Sequence, residues 1–188
     1  MSDGPSTGDG PVAGEAALAA DASEVADANL HALARGIQER SLARGATIAL
    51  AESCTGGLVA AALTAIPGSS GYFLGGVVSY SNEAKRDLLG VDEATLAAHG
   101  AVSAQVVRAM AEGARTRFAA SLAAAVTGIA GPDGGTPEKP IGLTYVAVTD
   151  DNGVDVRRLV WPGNRAANRR DSALAVLAAL RDRVEAGA

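Results

Sequence analysis

Ser53 has the chemistry and the setting of a catalytic nucleophile. It follows a short apolar stretch, residues 47–51, and precedes the pair Gly56 and Gly57. Glycines let a ligand approach the backbone closely, and the helix that they open offers unpaired N–H groups. Such donors suit an oxyanion or a phosphate. The structural alternative is that Ser53 or Thr55 simply caps the helix.

A serine hydroxyl needs a base, and Lys85 is the favoured candidate. The chain has two histidines, His31 and His99, and neither falls in a glycine-rich segment at a strand end. Lys85 follows a predicted strand, in the first turn of a predicted helix, where burial and the positive helix end would lower its pKa from ~10.4 towards ~7–8. Tyr80, just upstream, could relay a proton or bind ligand. The alternatives are a solvated helix lysine and a packed strand tyrosine.

Cys54 is a rival nucleophile, intrinsically better than serine at neutral pH. It also needs a nearby base, and we interpret it as a small buried apolar residue. One cysteine and two histidines make a zinc site improbable, so no metal is predicted. A single cysteine cannot form an internal disulfide, which is typical of a reducing, cytoplasmic compartment.

Two further segments could bind an anion. Residues 127–135 follow an apolar strand and are too glycine-rich for regular structure. They resemble a phosphate-binding loop in composition only, and a long surface loop is the favoured alternative. The second segment is a cluster of arginines near the C-terminus, namely Arg157, Arg158, Arg165, Arg169 and Arg170. This cluster could hold a phosphate, or it could pair with acidic neighbours or a partner subunit.

The elements that must position these residues alternate between strand and helix patterns. Apolar spacing predicts strands at residues 47–51, 73–80, 123–127, 141–149 and 154–161, and helices at 23–44, 59–66, 83–89, 93–99, 104–118 and 165–184. Asp150-Asp-Asn-Gly153 is a hairpin signal. The fold class predicted is a three-layer α/β/α domain with a mixed, mostly parallel sheet that includes a C-terminal antiparallel hairpin.

Composition narrows the classes of partner. The chain of 188 residues has a formal net charge of −5, which argues against general binding to nucleic acid or anionic membranes. Only 3% of its residues are aromatic, too few for a base-stacking surface. Residues 1–22, rich in Gly, Ala and Pro, are predicted to be a disordered tail, and residues 23–188 one domain. The Ala-rich helices favour close packing and, with it, a homodimer.

Five segments, taken together and in order, resemble the CinA C-terminal domain family. They are residues 51–57 (AESCTGG), 78–85 (VSYSNEAK), 99–103 (HGAVS), 127–135 (TGIAGPDGG) and 162–165 (PGNR). The resemblance runs from about residue 25 to the C-terminus. Many members carry a second, N-terminal domain similar to molybdopterin-binding proteins. This chain is too short for that domain and resembles the stand-alone form, the nicotinamide-nucleotide amidases.

The resemblance implies hydrolysis of the carboxamide of nicotinamide mononucleotide (NMN) to nicotinate mononucleotide and ammonia, without metal or cofactor. The family is described with a serine–lysine arrangement, which falls here on Ser53 and Lys85, with Tyr80 nearby. The residues expected to contact this pyridine nucleotide are Thr55, Gly56, Gly57, Asn82, Thr127, Gly128, Gly131 and Arg165. The alternative function is a non-catalytic nucleotide-binding or competence- and damage-related interaction module.

Overall fold

The computed structural model describes residues 13–187, with side chains from residue 27 onward. The helices are α1 (Ala13–Arg44), α2 (Leu58–Thr64), α3 (Asn82–Leu89), α4 (Glu93–His99), α5 (Ala104–Phe118) and α6 (Arg165–Ala186), with a short 3-10 turn at Ser69–Gly71. The strands are β1 (Ile48–Glu52), β2 (Phe73–Val78), β3 (Leu122–Gly128), β4 (Leu143–Asp150) and β5 (Gly153–Val160). These limits agree with the predicted strands, and with every predicted helix but the first, to within a few residues.

The five strands form one mixed sheet in the order β2-β1-β3-β4-β5. Strand β1 runs parallel to both β2 and β3, whereas β4 pairs antiparallel with β3 and with β5. All five residues of β1 are buried, as expected for a central strand covered on both faces. The predicted mixed α/β sheet with a C-terminal antiparallel hairpin is therefore confirmed.

Helices cover both faces of this sheet. Helices α1, α2 and α6 pack on one face over large side chains such as Ile48, Leu50 and Leu122. Helix α5, with α3 and α4, packs on the other face, which is lined by small residues such as Ala49 and Ala123. Alternate residues of one strand point to opposite faces, so the large and small sets come from the same strands. The alanine-lined face lets α5 lie close to the sheet.

The first helix begins earlier than the apolar pattern predicts. It starts at Ala13, whereas the leucine and isoleucine spacing predicts a start near Ser23. The intervening sequence is rich in alanine, which has high helix propensity but supplies no apolar stripe to recognise. Residues 1–12 lie outside the described part of the chain, so the disordered tail stays a prediction there. Within residues 13–187 no helix is long and apolar enough to cross a membrane.

Gly113 of α5 allows a close contact with the C-terminal end of α3. A Cβ atom at this position would overlap the carbonyl oxygen of Leu89, at the end of α3. We predict that Gly113→Ala lowers the free energy of unfolding by about 1–3 kcal/mol, because α3 and α5 must separate. Gly36→Ala is the matched control, since its Cβ would meet only the flexible end of Arg40.

Helix propensity alone would favour alanine over glycine by about 0.8–1.0 kcal/mol at both positions. Comparing the free energies of unfolding of the two variants in denaturant therefore separates the effect of packing from the effect of helix propensity. We expect Gly36→Ala to be neutral or stabilising. A Gly113→Ala protein as stable as the Gly36→Ala protein would contradict the close α3–α5 contact.

Candidate active site

The parallel strands bring three predicted segments to one edge of the sheet. In the register of β1, Glu52 lies opposite Val78 of β2 on one side and Val126 of β3 on the other. The N–H of Ser53 donates to the carbonyl of Val126 at 3.0 Å. The N–H of Ser79 donates to the carbonyl of Glu52 at 2.8 Å. The chain leaves all three strands at this level, so the segments that follow them lie side by side.

Ser53 and Lys85 meet at this edge. The Nζ atom of Lys85 lies 3.1 Å from the Oγ of Ser53 and donates to the carbonyl of Ser79 at 2.7 Å. Lys85 is 1% exposed and Ser53 8% exposed. Burial lowers the pKa of Lys85 from its ordinary value, and the neighbouring Cys54 opposes that shift to a lesser extent. The pair has the geometry of a nucleophile and its base.

The start of α3 aims Lys85 into the site. Ser81 caps this helix, because its side chain accepts the N–H of Ala84 at 3.1 Å. Asn82, expected to contact the substrate, is the first helical residue and is exposed. The cap places Lys85 one turn into the helix, on the face that packs against the sheet edge. A serine cap with extended backbone fits this sharp strand-to-helix change better than a residue inside the helix.

Cys54 is buried beside Ser53. It is 6% exposed and belongs to the apolar core under α2. Burial raises the pKa of its thiol to about 11, so the thiol stays protonated at neutral pH. A protonated, buried thiol is a poor nucleophile. These properties support the interpretation of Cys54 as a small core residue.

Glu52 is the site residue that sequence reasoning missed. Its side chain is buried at the end of β1 and accepts hydrogen bonds from the Thr55 hydroxyl at 2.7 Å and the Gly57 N–H at 2.9 Å. The N–H of Gly56 donates to the Ser53 carbonyl at 3.1 Å. The predicted oxyanion donors of Gly56 and Gly57 are therefore already bonded within the protein. An acidic residue directly before a helix-opening turn was the available signal.

A cavity of about 280 Å³ opens beside the dyad. Its lining includes seven of the predicted residues, namely Ser53, Tyr80, Lys85, Thr127, Gly128, Gly131 and Arg165. It also includes Cys54, Ala101, Val102, Ile129, Ala130, Asp133 and Gly134. Four predicted contacts, Thr55, Gly56, Gly57 and Asn82, do not line it. The cavity combines a buried reactive end with an exposed, charged mouth.

Arg165 spans the mouth of this cavity. One guanidinium nitrogen donates to the carbonyl of Gly131 at 2.8 Å and another to the Tyr80 hydroxyl at 3.0 Å. One turn later in α6, Asn168 donates to the carbonyl of Ala130 at 3.1 Å. Arg165 and Asn168 thus tie the glycine loop to α6, and Asn168 was not predicted. Thr127 donates to the carbonyl of Ala101 at 2.9 Å, which holds the base of the loop.

The predicted basic patch does not act as one unit. Arg165 reaches the cavity, and Arg169 donates to the carbonyl of Thr55 at 2.7 Å. Arg157 pairs with Asp182 at 3.1 Å. Arg170 lies 3.7 Å from Asp27. Arg157 and Arg170 therefore pair with acidic neighbours, which was one of the alternatives for this patch. Of the five arginines in the patch, only Arg165 lines the cavity.

Among residues 27–187, whose side chains the structure describes, no group of three or more His, Cys, Asp or Glu is placed to hold a metal ion.

Similar proteins carry the same domain. The model of the CinA C-terminal domain matches residues 30–184. A CinA-like protein of Citrifermentans bemidjiense is 59% identical over 121 residues, which cover 64% of this chain and 29% of that protein. A CinA-like protein of Geobacter sulfurreducens is 52% identical over 153 residues, which cover 81% of this chain and 36% of that protein. The chain thus spans about a third of the length of these curated relatives.

Solved structures match over nearly their whole length. The competence/damage inducible protein CihA from Agrobacterium tumefaciens has 43% sequence identity and a TM-score of 0.81, covering 84% of this chain and 96% of that structure. A CinA superfamily protein from Klebsiella pneumoniae has 36% identity and a TM-score of 0.80, covering 83% and 98%. The family match, the relatives and the shared fold agree, and the chain belongs to the CinA C-terminal domain family.

Proposed function

We propose that this protein hydrolyses the carboxamide of NMN to nicotinate mononucleotide and ammonia. The observation that carries the proposal is the 3.1 Å contact between Lys85 Nζ and Ser53 Oγ in a buried site. A buried lysine with a lowered pKa can be neutral and accept a proton, which a solvated lysine rarely does at neutral pH. The resemblance of the surrounding motifs to nicotinamide-nucleotide amidases names the substrate.

The cavity is compatible with this substrate. At about 280 Å³ it is near the small end of ligand pockets, which run ~300–1,000 Å³. One aromatic ring with its carboxamide fits such a space, with the ribose phosphate directed outward. Val102 and Ile129 supply apolar surface for the ring. Arg165, exposed at the mouth, is the cation suited to a phosphate.

The reaction begins with proton transfer within the dyad. The Ser79 carbonyl accepts one N–H of Lys85 and so directs the amine lone pair at Ser53. Neutral Lys85 takes the Ser53 proton as Oγ bonds to the carboxamide carbon, and the C=O electrons move to oxygen. Because the N–H groups of Gly56 and Gly57 donate elsewhere, the oxyanion donors in this mechanism are backbone N–H groups of Thr55 or of the glycine loop near Gly128.

The tetrahedral intermediate then collapses. The C–N bond breaks, Lys85 returns its proton to the departing nitrogen, and ammonia leaves. Water attacks the resulting ester with Lys85 again as the base. The C–Oγ bond breaks, and Ser53 recovers its proton from Lys85. The carboxylate product leaves with its nucleotide, and no redox partner is required.

A nucleotide-binding module without turnover is the second candidate. It is favoured by the size of the curated relatives, in which this domain is 29% and 36% of the protein. Calorimetric binding of NMN without ammonia release would support that function. The loop and Arg165 could bind a phosphate in either case.

The dyad is tested by substitution. We predict that Ser53→Ala and Lys85→Ala each lower ammonia release from NMN by at least ~10³-fold, because each removes a reacting group. Cys54→Ala should retain activity, since the Cys54 thiol has a pKa of about 11 and stays protonated. Circular dichroism shows whether each variant is folded. Full activity of Ser53→Ala, or an inactive folded Cys54→Ala, would sink the Ser53 mechanism.

The pH dependence tests the protonation state of Lys85. The base must be neutral, so the rate should rise with pH and level off above the pKa of Lys85. Because burial lowers that pKa, the rise should come well below the ~10.4 of a free lysine. Both kcat and kcat/KM should be measured, since the substrate phosphate titrates near pH ~6 and affects only binding. A rise centred near pH ~10.4 would argue against a buried neutral lysine.

A further inference from the structure

The Glu52 carboxylate lies at the strand–turn–helix junction that carries Ser53. It is 2% exposed, and its two oxygens accept four hydrogen bonds. The donors are the Thr55 hydroxyl at 2.7 Å and the N–H groups of Gly57 at 2.9 Å, Val59 at 3.2 Å and Ala60 at 2.8 Å. Because all four partners are donors, the two oxygens of Glu52 act only as acceptors, as those of an ionised carboxylate do.

Such a group is costly to bury. Removing an ionised carboxylate from water is costly, and the four hydrogen bonds to Glu52 offset that cost. An exposed Ser or Asp would suffice for capping alone, as Ser81 and Asp92 do at α3 and α4. The buried position of Glu52, directly before the nucleophile, therefore indicates a role beyond capping.

The four bonds hold the turn that carries Ser53. The Ser53 N–H is bound by Val126 at 3.0 Å, and its carbonyl accepts the Gly56 N–H at 3.1 Å. Arg169 donates to the Thr55 carbonyl at 2.7 Å. Glu52 completes this set of hydrogen bonds, because it binds the Thr55 side chain and the N–H groups at the start of α2. The Ser53 hydroxyl, which faces Lys85, is thus presented by a turn with little freedom to move.

We propose that Glu52 is a positioning residue, whose buried carboxylate holds the turn that carries Ser53 and keeps Ser53 aligned with Lys85. The proposal rests on the proposed function, because it takes Ser53 as the nucleophile and Lys85 as its base. Its direct consequence is that the reactivity of Ser53 depends on a negative charge at position 52.

The experiment compares Glu52→Gln, Glu52→Asp and Glu52→Ala with the wild type. Labelling of Ser53 by a fluorophosphonate reports its reactivity without reference to the natural substrate, and Ser53→Ala is the blank. We expect at least a tenfold slower labelling in Glu52→Gln, which keeps the volume of the side chain but presents an N–H₂ donor to other donors. Glu52→Asp should stay faster than Glu52→Gln, because charge matters more than shape.

The Glu52→Ala protein adds a rescue test. Formate should restore its labelling saturably and raise its Tm, whereas the neutral formamide should do neither. Asp92→Ala is the matched control, a lost helix cap in α4 that should lower Tm without slowing the labelling. If Glu52→Ala does not fold without formate, the comparison of Glu52→Gln with Glu52→Asp tests the proposal by itself.

The outcomes separate the two proposals. Unchanged Ser53 labelling in folded Glu52→Gln, labelling in Glu52→Gln equal to or faster than in Glu52→Asp, or equal rescue by formamide would overturn the role of Glu52. Efficient wild-type labelling with no ammonia from NMN would overturn only the proposed substrate. In turnover, Glu52→Gln should lower kcat more than it raises KM, because alignment rather than binding is lost.

Discussion

The site depends on keeping a lysine amine out of water. Lys85 is 1% exposed, and its Nζ contacts are the Ser53 hydroxyl and the Ser79 carbonyl. Neither contact carries a negative charge, so neither favours the ammonium form as a carboxylate would. In the proposed mechanism, these surroundings favour the neutral amine, which can act as a base. This requires a helix that starts directly after β2, and a sheet edge that closes over the side chain.

The division of the sheet explains where the chemistry lies. The ends of β1, β2 and β3 come together because these strands are parallel, and ligands of such sheets bind beyond those ends. The antiparallel strands β4 and β5 contribute no nucleophile or base. They extend the sheet on which α6 packs, and the start of α6 reaches back to the glycine loop through Arg165 and Asn168. The parallel half of the sheet positions the proposed dyad, and the antiparallel half supports the helix that reaches the glycine loop.

Much of this arrangement could be predicted from the residues alone, because strand and helix periods are local properties. The meeting of Ser53 with Lys85 could also be predicted, since both follow strands and the chain offers few other bases. Glu52 was missed although its place directly before a helix-opening turn was a local signal. Asn168 could not be predicted, because its role is set by a side-chain hydrogen bond to the carbonyl of Ala130, 38 residues away, which leaves no periodic pattern. The early start of α1 was missed for a related reason, since alanine promotes a helix without marking its face.

The charges around the site constrain the ligand more than its volume does. Glu52 places a negative charge beside the turn that carries Ser53. Lys85 is buried and has no charged hydrogen-bond partner, whereas Arg165 places a positive charge at the mouth of the cavity. A carboxylate that reached the dyad would favour the ammonium form of Lys85 and so remove the proposed base. Arg165 suits a negative charge at the other end of the ligand. The proposed substrate, a carboxamide joined to a phosphate, meets both conditions, and its carboxylate product meets only one, which favours product release.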